Sequence, residues 1–375
     1  MTGRTAVHTQ EQMLAQRRDA RLRAQCSLSG MQLYAQIAIG LSLYLFDHVS
    51  TPGYLSLLLM LPYLALLCAL AQFVKKRAGS AEDPFFFAVG KRTGRMLMLP
   101  LILIHLMDAL LLFFSLCAIA GDVMPDMSPM WVALFIALVT ALSLSTSHLR
   151  QPQAQMAHML RWLVAGMLGF CMLAAIPHGS AAHFFPLLGY GPGRIVRGGC
   201  WMCGSAAGAV WPMLSPAGTD SADRRQLFPA LMRGWGAGVI TMLFSVWLMP
   251  VYFMARPETL GWRLLVLTNM TPSVAAWSLE VVGLMLLMLL CLSASVSQAA
   301  GLTARCVGKR QAPPLWGMIF TLCLIPAGAF PLPGIQRFLT NAAPWRGAAA
   351  LAVLLVMAFG AAVKKEKSPA KEDAA

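Results

Sequence analysis

The sequence predicts an all-α integral membrane protein of ten transmembrane helices, built as two inverted sets of five with broken helices 1 and 6. Apolar residues make up 58% of the 375 and charged residues only 12%, with mean hydropathy +0.65, more than one soluble core absorbs. Apolar runs of bilayer length recur from end to end, which leaves no room for a sizeable soluble domain. The basic residues separating those runs favour alternate loops, as the positive-inside rule demands of a polytopic chain.

Residues 1–30 are polar and basic, without a short apolar core followed by a small-residue cleavage site, so a cytoplasmic segment is expected there and not a cleaved signal peptide. The transmembrane domain then occupies 31–363. Its spans are expected at 31–46, 53–73, 96–120, 129–147, 157–177, 196–214, 229–254, 274–297, 314–331 and 347–363. Residues 364–375, "KKEKSPAKEDAA", form a charged cytoplasmic tail that anchors topology.

With the N-terminus inside, 23 of the 29 Lys and Arg residues fall in inner loops. The other 6, Arg194, Arg197, Arg256, Arg263, Arg337 and Arg346, fall outside. Both termini are therefore expected in the cytoplasm. The net charge of +14 is spread between apolar segments and not gathered on one soluble face, so it speaks of topology and not of nucleic acid.

Ten helices with both ends inside divide into halves of opposite entry direction, the inverted-repeat plan of many secondary transporters. Spans 1 and 6 open the two halves and are among the shortest. Sixteen residues of helix cover only about 24 Å of a core roughly 30 Å thick, so these spans should be extended or broken.

Polar residues in apolar spans are costly and mark function or pairing. Asp108 lies almost midway along "MLMLPLILIHLMDALLLFFSLCAIA", with His105 on the same helical face. A shared proton on an ion or proton pathway and a structural interhelical hydrogen bond stand as equal alternatives. Glu280 sits about two turns into span 8; with no Lys or Arg inside an apolar run to pair with, a protonated or vestibule-facing carboxyl is expected. In span 6, Gly204 and Gly208 form a small-x-x-x-small pair, suited either to close helix packing or to an unwound turn whose backbone groups bind a charged solute.

Cys200 and Cys203 make a Cys-x-x-Cys pair, but no second closely spaced pair follows, and His178 and His183 lack ligand spacing for zinc. The remaining cysteines in apolar runs read as small buried hydrophobes. Walker A, His-Glu-x-x-His and nucleophile-elbow motifs are missing, which points away from an enzyme, a metal or a cofactor.

The stretch "HFFPLLGYGPGRIVRGGCWMCGSAAGAVWPMLSP" resembles the segment before helix 6 of spore germination permeases, the B-type membrane subunits of nutrient germinant receptors, through Phe185, Pro186, Gly189, Gly191 and Pro212. Ser29 and Gln32 match a Ser-x-x-Gln pattern at the start of helix 1, and Glu280 falls where the family carries an acid early in helix 8. Pro152, Ala154 and His158 depart from the family's Gly-x-Glu and following Arg at the entry to helix 5, and Ser278 stands where an Arg commonly precedes the acid of helix 8.

The resemblance implies membership of the amino acid/polyamine/organocation transporter superfamily, with a LeuT-like fold. It further implies a small nutrient, such as an amino acid, bound at the membrane midplane between helices 1, 3, 6 and 8. Gly40, Ser42, Trp201, Gly204, Ser205 and Gly208 would contact the ligand, and Asp108 and Glu280 would tune its charge. A larger membrane subunit and a lipoprotein would be the partners, with lipid around the helices and the spore inner membrane as the location. Proton-coupled uptake of an amino acid or amine through Asp108, and thiol redox chemistry at Cys200 and Cys203, are the competing expectations.

Overall fold

The computed structural model describes residues 2–47, 53–79, 83–145, 192–214, 224–247, 274–308, 313–329 and 333–364, with scattered positions between 162 and 180. The described residues are mostly helical, without strands. In chain order the helices are α1 (Thr2–Asp47), α2 (Gly53–Ala78), α3 (Pro84–Val89), α4 (Lys91–Val123), α5 (Pro129–Ser145), α6 (Pro192–Ser205), α7 (Arg224–Trp247), α8 (Val274–Val307), α9 (Pro313–Ala329) and α10 (Pro333–Val363). Within α2, α4, α7, α8 and α10 lie five segments long and apolar enough to cross a membrane; α5 and α9 are apolar but only 17 residues each.

The surface agrees with a lipid setting. On α5, Trp131, Phe135, Leu138 and Leu142 recur at helical spacing and are all exposed, while Ala133, Ile136 and Thr140 face inward. Met96, Leu99 and Leu103 do the same on α4. A stripe of this kind facing water would be a large exposed apolar patch; facing lipid it is the expected exterior.

Helices occupy every expected span except 157–177, which lies largely outside the described residues, as do the tail beyond 364 and the ends of several loops. Three expectations change. First, α1 is not broken: it runs from Thr2 to Asp47 through residue 30, and Leu22 is already buried. The apolar run only looked short because Ser27, Ser29 and Gln32, polar in sequence, are buried. Second, α8 continues ten residues past its expected end at 297, to Val307. Third, α10 starts at Pro333 and not at 347, which draws Arg337 and Arg346 from an outer loop into a helix.

Helix ends follow local chemistry. Lys75, Lys76 and Arg77 close α2, where cations suit the negative end of the helix dipole. Asp83 caps α3, its Oδ1 accepting from the Phe85 N–H at 3.1 Å, with Pro84 in the first turn. Gly90, at φ 81°, turns the chain from α3 directly into α4.

In packing, α4 lies along α8, α5 along α9, α1 along α7 and α2 along α6, with α10 against α6 and α2. Between lipid-soluble helices there is little hydrophobic drive, so close approach of backbones carries much of the association. The α1–α7 seam shows it: a Cβ on Gly234 would collide with the Gly30 carbonyl, and one on Gly30 with the Ala230 carbonyl.

Candidate functional site

Within the span expected at 196–214, the α-helix stops at Ser205. After Ser205 the i→i−4 pattern gives way to tighter bonds, Ala206 N–H to the Cys203 carbonyl at 3.1 Å, Ala207 to Gly204 at 3.2 Å and Ala209 to Ala206 at 3.0 Å. A short 3-10 turn, Trp211–Leu214, follows. The sequence favours this: Gly204 and Gly208 weaken the helix, and Pro212 removes a backbone donor.

Against this break stands a buried ion pair. Arg346 of α10 donates through Nη2 to Asp108 Oδ1 of α4, and through the same nitrogen to the Gly204 carbonyl at 3.0 Å. Asp108 is 5% exposed and Arg346 4%, so the two charges are held by each other and by backbone, not by water. From α1, Gln36 Nε2 donates to the Asp108 carbonyl at 3.3 Å, and from α2, Tyr63 donates to the Gly347 carbonyl at 2.8 Å. Five elements thus meet at one point.

The contacts are close. A Cβ on Gly208 would stand 2.6 Å from Asp108 Oδ2 and 3.3 Å from His105 Cε1, and a Cβ on Gly204 would strike the Ala343 carbonyl. Two polar atoms in the cluster have no hydrogen-bond partner among the described residues, Arg346 Nε and His105 Nε2, although both residues are buried. Unpaired buried donors of this kind are rare and costly.

The structure brings together six of the residues singled out from sequence: Asp108, Gly204 and Gly208 around the ion pair, and Gly40, Trp201 and Ser205 beside it. A Cβ on Gly40 would lie 2.6 Å from the Trp201 ring and 3.3 Å from Ser205 Oγ, so these three share one α1–α6 face. Ser42 stands apart: it is fully buried and its hydroxyl donates to the Ala38 carbonyl of its own helix at 2.7 Å. Glu280 belongs to α8, and its side chain lies outside the described residues. Ser29 donates back to the Gln25 carbonyl at 3.2 Å, and Gln32 joins Ser295 and Gln298 in a bridge from α1 to α8.

Two expectations are corrected here. A buried cation does exist, Arg346, and it partners Asp108, so the carboxylate answers to a guanidinium and not to His105. Arg346 was missed because a basic residue just after Pro344 reads as a loop boundary, and Gln36 and Tyr63 because neither carries a charge that an apolar span must account for. The signal available was Asp108 itself, since a midspan carboxylate demands a counter-charge.

No protein-family model matches this chain, and no curated protein does. Cys200 is exposed and Cys203 partly buried, both free thiols; Cys203 packs by its backbone against Gly347. Among the described residues no three His, Cys, Asp or Glu side chains gather as a metal group would.

Proposed function

We propose that this chain is a spore germination permease-like membrane subunit of transporter architecture, which binds a small zwitterionic nutrient at the α6 break and passes the signal to partner receptor subunits. The observation that carries the reading is the Asp108–Arg346 pair bonded to the Gly204 carbonyl. One carboxylate, one guanidinium and loosened backbone, buried together, are complementary to a molecule carrying one ammonium and one carboxylate. A ligand of that class exchanges with the internal pair, taking Arg346 by its carboxylate and Asp108 by its amine.

The helix pairings support a five-plus-five repeat. Taking α1, α2, α4 and α5 as counterparts of α6, α7, α8 and α9, the α1–α7 contact becomes α6–α2, while α4–α8, α5–α9 and α2–α7 map onto themselves. The symmetry is imperfect where it matters for function, because α6 is broken and α1 is not. Backbone groups for a ligand therefore come from one half only.

Reconstituted protein challenged with α-amino acids, and with analogues lacking either the amine or the carboxylate, tests this. Saturable binding of zwitterions, at least about tenfold tighter than either analogue and without flux, is expected. Concentrative uptake that is lost in Asp108→Asn would assign transport instead, and equal binding of all three classes would remove the zwitterion reading.

A further inference from the structure

A cavity of about 280 Å³ opens between α1, α7 and α8, with Trp162 on its wall. It is a by-product of the glycine seam. Gly30 and Gly234 press backbone to backbone and supply no side chain beside the contact, leaving a cleft lined by Met31, Ala237 and Leu287. The lining is almost wholly apolar, so an aliphatic occupant is favoured.

One cation belongs to this lining. Arg233 is exposed, its Nε donates to the Pro229 carbonyl at 3.3 Å, and its Nη nitrogens make no hydrogen bond to a described residue. An aliphatic slot with a guanidinium on its lining calls for a molecule with a hydrocarbon chain and an anionic head. A helical body with an apolar exterior is surrounded by molecules of that description.

We propose that this cleft is a lateral site for an anionic phospholipid, one acyl chain lying between α1, α7 and α8 and the phosphate on Arg233. The full chain in detergent micelles, titrated with phosphatidylglycerol or phosphatidylcholine and read by native mass spectrometry, tests it. Retained phosphatidylglycerol should exceed phosphatidylcholine by about tenfold, a difference of about 1.4 kcal/mol. Arg233→Gln, an exposed change with no packing consequence, should bring the ratio near unity. Ala237→Trp, which fills the slot, should remove retention of both lipids. Equal retention by the native chain, a preference that survives Arg233→Gln, or undiminished retention in a folded Ala237→Trp protein would each overturn the site.

Discussion

Asp108 and Arg346 hold each other across 238 residues of chain, and their energetics follow from burial. Removing one partner leaves an uncompensated charge among apolar helices, a loss of about 3–5 kcal/mol. Asp108→Asn and Arg346→Gln should therefore each lower the thermal midpoint of the purified protein sharply. The double variant, with neither charge, should recover most of that loss, and a double variant as unstable as the sum of the singles would show that the two do not act as a pair. Gly208→Ala belongs to the same scale: its methyl would stand 2.6 Å from Asp108 Oδ2, so either the pair or the turn must shift. Asp108 was legible in the sequence because a lone acid in an apolar run has no innocent explanation. Arg346 was not, because Pro344 and Trp345 beside it read as an interface, and nothing local says that α10 begins a dozen residues earlier.

Among the elements, α6 stops at Ser205 inside its expected span while α1 runs unbroken, and one physical difference accounts for both. Gly204, Gly208 and Pro212 fall within nine residues at and just beyond the end of α6, whereas the glycines of α1, Gly3, Gly30 and Gly40, stand at least ten residues apart with no proline among them. One glycine costs a helix about 1 kcal/mol, too little to interrupt a 46-residue run. Beyond the break, Trp211 lies 6.5 Å from the Phe85 ring, and Phe85 lies 5.2 Å under the Arg305 guanidinium, which grips the Asp83 carboxylate through Nη2 at 2.7 Å. Asp83→Ala removes both a helix cap and a bidentate partner, and a loss of about 2–3 kcal/mol by denaturant melting is expected. The α1–α7 seam is less forgiving: Gly234→Leu drives a side chain into the Gly30 carbonyl, and loss of folded protein on size-exclusion chromatography should follow. Replacing Cys200 and Cys203 together with Ser should leave folding and ligand binding intact, since neither thiol touches the ion pair; loss of binding would revive a role for the thiols.

For the whole molecule, the all-helical class and the order of the helices were legible because apolar length is dictated by the bilayer and needs no tertiary information. Helix ends were not, since polar residues such as Gln32, Gln36 and Arg346 are buried by neighbours that only the fold supplies. The same reason hid the site: its parts come from α1, α2, α4, α6 and α10, each unremarkable alone except for Asp108. Ligand exchange with an internal ion pair is the central claim, and equilibrium binding of an α-amino acid to the native chain and to the Asp108→Asn, Arg346→Gln double variant tests it most directly. Saturable binding by the native chain, weakened at least about a hundredfold in a double variant that remains folded, is expected. Undiminished affinity in that double variant would contradict it.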